Sequence, residues 1–260
     1  MLNRTAPAVI LALLAATAAI GQDSPRTVPS DSLLAAIGRR GRLLAAYDVA
    51  AWHGTDAVVA LSPKKGSFNT YLAYQTANGW IVSFGRLTTG RDTFLIAYQA
   101  TQTGAADSFS ATAFDPPQPA VGLERDAAVA IALVPVDSLK LTRSYNVAVL
   151  PADNARRFWV YLTPAPTRAG ITPLGGDWRF LVAADSARVL AKRQLHRTVL
   201  EYALPDSAVS GMHTAILDDV PEDTDVFYVL TRRPLRQEYV VSEHYFYQVC
   251  TDGTIKWRSR

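Results

Sequence analysis

Apolar residues at Leu33, Leu34, Ile37, Leu44, Tyr47 and Ala51 recur at three- and four-residue steps, the spacing of one helix face. Ser30 or Asp31 can cap the start of that helix. Gly38 and Gly41 weaken its middle, and Thr55-Asp56 predicts a further capped turn through Val58, Val59 and Leu61 before Pro63 stops it. From residue 68 the pattern changes. Residues 68–77 are rich in Thr, Tyr and Phe, and residues 80–84 are apolar. Asn78-Gly79 between them predicts a hairpin through a type I′ turn, which needs φ > 0 at both central residues. A third strand is expected over 93–100. Residues 103–121 are rich in Ser, Ala, Asp and Pro and read as a loop.

The pattern then starts again. Leu123, Ala127, Ala130, Ile131 and Val134 share a helix face that ends at Pro135. Strands are expected at 145–150, 157–163, 178–183, 189–202, 212–217, 226–231, 238–242, 245–249 and 255–258, with turns near Asp185-Ser186 and at Asp252-Gly253. The chain is therefore an α+β protein: one or two helices on mainly antiparallel sheets, with a β-rich C-terminal half. The expected division is a 31–102 N-terminal α+β unit and a 122–260 C-terminal unit, or one domain continuous through both. The run Gly176-Asp177-Trp178-Arg179-Phe180-Leu181-Val182, with Asp185 and Val189-Leu190, resembles the closing hairpin of bacterial PepSY modules. Those are small secreted or membrane-associated α+β units. Their usual Thr-Gly is replaced here by Ser186-Ala187, and the likeness covers under a third of the chain.

The first residues carry a different signal. Arg4 precedes an apolar and small-residue stretch over 6–20, and polar Gln22-Asp23-Ser24-Pro25 follows. This is the build of a secretory signal peptide over 1–21, with small residues placing cleavage near Gly21 and a linker over 22–30. A secreted or periplasmic location follows, with no transmembrane segment in the mature chain, because the 6–20 stretch falls short of the ~20 residues a span needs.

Charge changes the picture little. There are 26 Lys and Arg against 23 Asp and Glu, and the basic runs Arg39-Arg40-Gly41-Arg42 and Arg232-Arg233 are short. No basic stripe marks a nucleic-acid partner. The single Cys250 excludes an internal disulfide framework and sits in an apolar strand pattern.

Local catalytic motifs are absent: no G-x-S-x-G, H-E-x-x-H, P-loop or G-x-G-x-x-G occurs, and no cofactor is expected. Four looser groups remain. Asp218, Asp219, Glu222, Asp223 and Asp225 offer oxygen ligands for Ca²⁺, although a solvated hairpin loop also explains them. His53 and Asp56, three apart on a helix, suit a general base and its orienting carboxylate. Among His196, Glu201 and His213, the odd spacing of His196 and Glu201 sends them to opposite faces of a regular strand and argues against a shared metal site. Phe227, Tyr228, Tyr239, Tyr245, Phe246, Tyr247 and Trp257 put aromatic rings on both faces of the last sheet. These features favour an exported, non-catalytic module that binds an unknown ligand or protein partner. The alternatives are an extracytoplasmic hydrolase with a site assembled from distant residues, His213 among them, and an envelope structural or assembly component.

Overall fold

The computed structural model describes residues 27–152, 156–202, 205 and 207–260. The region read as a signal peptide lies outside the described residues. The chain is α+β, as its pattern implies. Helix α1 (Asp31–Val59) runs 29 residues without a break, and Ser30 Oγ accepts from the Leu33 N–H at its start. At 1.5 Å per residue it is about 44 Å long, enough to serve two cores.

Among the described residues the strands form four sheets. The first is an antiparallel meander of β1 (Thr70–Thr76), β2 (Gly79–Leu87), β3 (Phe94–Gln102) and β4 (Phe109–Pro119). Helix α2 (Gly122–Leu133) and a 3₁₀ turn (Val136–Leu139) follow. The second sheet pairs β5 (Tyr145–Pro151), β6 (Arg157–Pro164), β8 (Trp178–Ala183) and β9 (Arg188–Gln194), in that order. Two-residue strands β7 (Leu174–Gly175) and β10 (Val199–Leu200) pair beside it. The third large sheet joins β11 (Ser210–Thr214), β12 (Gln237–Val241), β13 (Tyr245–Val249) and β14 (Ile255–Ser259). Its β11–β12 pair is parallel, with α3 (Asp223–Thr231) as the crossover between them.

Three expectations change. Residues 103–121 are not all loop, because β4 completes the first sheet as an edge strand. Pro116 and Pro117 are tolerated there because an edge strand leaves backbone N–H groups unpaired. Residues 226–231 are helical, not extended. The β1–β2 hairpin forms with Thr76 opposite Gly79, but Gly79 alone takes φ > 0 (115°), so the turn is not type I′. The β8–β9 hairpin turns through residues 184–187, where a turn is expected near Asp185-Ser186.

The larger core joins Leu44, Tyr47 and Val58 of α1 to Leu72 and Phe84 of the first sheet and to Phe158, Val160 and Phe180 of the second. The smaller one joins Leu34 and Ile37 to Val226, Val229, Val240 and Tyr247. Gly41 marks where α1 meets α3: a Cβ there would lie 2.4 Å from Val226 Cβ and 2.6 Å from the Asp223 carbonyl oxygen. The glycine that weakens α1 locally is what lets the two helices approach. No described helix is long and apolar enough to cross a membrane.

Candidate functional site

The start of α3 collects the chain's polar side chains. Glu222 is its N-cap, and a capping box forms in which the Glu222 N–H donates to Asp225 Oδ2 at 2.8 Å. That bond leaves Asp225 Oδ1 facing two imidazoles. His196 Nε2 lies 3.1 Å from it and His213 Nε2 lies 3.0 Å from it. The two nitrogens and the oxygen all lie within 4.8 Å of one another. His213 comes from β11. His196 comes from the irregular break between β9 and β10.

Each ring is held from behind. His196 Nδ1 is 2.7 Å from Asp177 Oδ1, and His213 Nδ1 is 3.0 Å from Glu238 Oε1. A carboxylate only accepts, so both Nδ1 atoms carry hydrogen and both Nε2 atoms point at Asp225. Gly175 and Gly176, at φ 81° and 71°, bring Asp177 to His196. A Cβ on Gly175 would lie 2.5 Å from the Thr198 carbonyl oxygen, and one on Gly176 2.3 Å from Val199 Cγ2.

The group is closed off: the side chains of His196, His213 and Asp225 are 11%, 5% and 0% exposed. His213 Nε2 and Asp225 Oδ1 lie 3.0 Å apart as an ion pair, yet they are not aligned for a hydrogen bond and neither atom makes one elsewhere among the described residues. Burial alone would lower the His213 pKa, but the Asp225 carboxylate overrides it and raises it to about 9. His196 is raised by Asp177 and Asp225 in the same way, against burial. Burial pushes Asp225 up, but the two imidazoliums hold it far below the usual range. Of the three carboxylates Asp177, Asp225 and Glu238, only Glu238 meets a guanidinium, that of Arg232, which donates to Glu238 Oε2 at 2.7 Å. Two negative charges remain, to be balanced by two protons or by one divalent cation.

The other acidic residues of this segment are buried and committed, not a solvated loop. Asp218 accepts from Thr27 and from Arg193 at 2.7 Å. Asp219 lies 2.7 Å from His244 Nδ1. Glu222 is bound by Arg193, with Arg179 at 3.9 Å, and burial still pushes its carboxyl up to about 8. Asp223 is bound by Arg40 at 2.7 Å, by the Tyr161 hydroxyl at 2.8 Å and by Arg179. Arginines thus occupy Asp218, Glu222 and Asp223, His244 holds Asp219, and Asp225 alone of the five faces two imidazoles.

His53 and Asp56 lie elsewhere on α1, where His53 stacks on the exposed Trp52 ring at 4.8 Å and Asp56 is exposed. Glu201 takes no part in the histidine group. It binds Arg143 at 2.6 Å and Thr167 Oγ1 at 2.8 Å. Of the aromatic set, Phe227 and Tyr228 are on α3, while Tyr239 and Phe246 stack at 5.2 Å on the sheet face away from it.

Behind Asp177 lies a cavity of about 120 Å³ that Asp48, Asn146, Asp177, Thr224 and Phe227 help to line. Asp48 has no hydrogen bond or ion pair among the described residues, and burial raises its carboxyl from 3.8 to about 6. The Tyr71 hydroxyl, pushed up to about 12 chiefly by burial, senses it, as does the more deeply buried Tyr47 hydroxyl. The fold therefore holds a proton that the unfolded chain releases, so this contribution to stability is full below pH 3.8 and is lost as pH rises through 6. The loss amounts to roughly 3 kcal/mol at about 1.4 kcal/mol per unit. Asp48→Asn is expected to remove that slope in unfolding free energy measured from pH 4 to 7.5. The variant should be more stable than the parent at pH 7.5 and equal at pH 4; an unchanged slope would show that another group sets it.

No family model, curated protein or solved structure matches the chain.

Proposed function

We propose that this chain is an exported, non-catalytic binding protein whose C-terminal half is organised by one divalent transition-metal ion, with zinc the best match. His196 Nε2, His213 Nε2 and Asp225 Oδ1 would hold it. One observation carries the reading. His196 Nε2, His213 Nε2 and Asp225 Oδ1 converge in a buried group with no aligned hydrogen bond at His213 Nε2 or Asp225 Oδ1, and both imidazoles are fixed through Nδ1 by carboxylates. Imidazole nitrogens and a carboxylate suit zinc, and carboxylates behind the ligating rings are the usual orienting groups. The chain segments so joined, the β9–β10 break, β11 and α3, are otherwise tied by short elements. Export rests on the leader-like 1–21 segment.

The chain purified without metal-chelating resin is expected to carry about one equivalent of zinc by mass spectrometry, the stoichiometry of one three-ligand site. Its removal by a strong chelator should lower the melting temperature, and added zinc should restore it. His213→Ala should lose the ion, and His53→Ala should keep it. Metal-free protein indifferent to both chelator and zinc would sink the reading in favour of two buried imidazolium ions. The hydrolase reading has one observation in its favour: three protein ligands leave a fourth zinc position for water. Hydrolysis of an ester or peptide panel by the zinc-loaded chain, lost in His213→Ala, would replace the non-catalytic reading with it.

A further inference from the structure

We propose that the cavity between α1, α3 and the β5–β6 pair binds a small primary ammonium compound, with Asp48, Asp177 and Thr224 receiving its N–H groups. The cavity is lined from α1 by Asp48, from β5 by Asn146, from the turn before β8 by Asp177, and from α3 by Thr224 and Phe227. Among the described residues no Lys, Arg or His lines it, although its wall carries two carboxylates.

Those acceptors are open. Thr224 is 4% exposed, yet its Oγ1 has no hydrogen-bond partner among the described residues. Such a buried hydroxyl costs free energy until something bonds it. Asp48 has no partner of its own, and its raised pKa is that of a carboxylate awaiting a cation. Asp177 spends Oδ1 on His196 Nδ1, and it is 2% exposed. An ammonium group has three donors and no acceptor, which matches three acceptors on three separate elements. The Phe227 ring and neighbouring prolines give a short carbon chain an apolar wall. A cavity of about 120 Å³ favours a short amine over a peptide or a sugar chain.

The cavity shares Asp177 with the support of His196, so the experiment is run with and without zinc to separate the two sites. Calorimetric titration with propylamine and ethanolamine at pH 7.5 is run on chelator-treated and on zinc-loaded protein, with propan-1-ol and propionate as uncharged and anionic counterparts. Both amines are expected to bind saturably in each preparation, about tenfold or more tighter than propan-1-ol, the factor that one good charged contact supplies. Asp48→Asn, which removes an unpaired buried charge and so should fold, is expected to weaken the amines at least tenfold and leave propan-1-ol unaffected. Thr224→Val, nearly isosteric, should weaken them less. Equal binding of amine and alcohol, amine binding untouched by Asp48→Asn, or a response to Ca²⁺ or Mg²⁺ without one to the amines would each overturn the proposal.

Discussion

Asp223→Ala is expected to destabilise the protein by about 3–5 kcal/mol, the usual result of removing one partner from a buried ion pair. The carboxylate is fully buried and is held by Arg40, Arg179 and Tyr161. Arg40 reaches it from α1 and Arg179 from β8, so this one side chain ties the long helix and the second sheet to the start of α3. Arg179 also lies over the Trp159 ring at 5.0 Å, which keeps its guanidinium from turning to solvent once the carboxylate is gone. Thermal or denaturant unfolding should show a melting temperature lower by roughly 6–20 °C, at 2–4 °C per kcal/mol for a chain of this size. A change below about 1 kcal/mol would mean that the two arginines find other partners, and the proposed keystone role would fall.

Glu238→Gln is the second large effect, and it separates stability from metal binding. Glu238 is fully buried, with Oε2 on Arg232 and Oε1 on His213. Arg232 is nearly as buried and covers the Tyr228 ring at 4.7 Å. Loss of the charge leaves that guanidinium unpaired, at a cost again of about 3–5 kcal/mol. The amide also has one acceptor oxygen for two donors, Arg232 Nη1 and His213 Nδ1, so its NH2 must face one of them and the hold on the His213 tautomer weakens; zinc affinity should fall about 10–100-fold in competition with a chromophoric chelator. Arg232→Met is the companion variant. It should lose comparable stability while holding zinc within a few-fold of the parent, because it leaves the His213–Glu238 bond in place. Equal zinc affinity in Glu238→Gln and the parent would remove Glu238 from the metal's support.

The histidine pair shows why spacing along the chain was a poor guide. The alternation argument assumes a regular strand through His196, and the strand in fact breaks after Gln194. Outside a strand, parity says nothing about which way a side chain points. The apolar run from Val226 likewise reads as a strand because six residues are too few to separate period two from period 3.6. The signal for a helix was present in Glu222 and Asp225, three apart, as a capping box, and it outranked the β preference of Val, Phe and Tyr once packing on α1 was available.

Local chemistry settled much of the architecture. The helical step in α1, the alternation in the strands and the turn residues at Asn78-Gly79 and Asp252-Gly253 act within a few residues of themselves, so α+β with antiparallel meanders is written in the chain. The pairing of charges is not local. Asp223 meets Arg40 183 positions away, and His196 meets Asp177 across 19. Desolvation favours a cation beside each buried carboxylate wherever the fold brings one, and Asp48, which has none, holds its proton more tightly instead. Which acidic residues became salt bridges and which one came to face two histidines was therefore decided by tertiary packing around the first turn of α3.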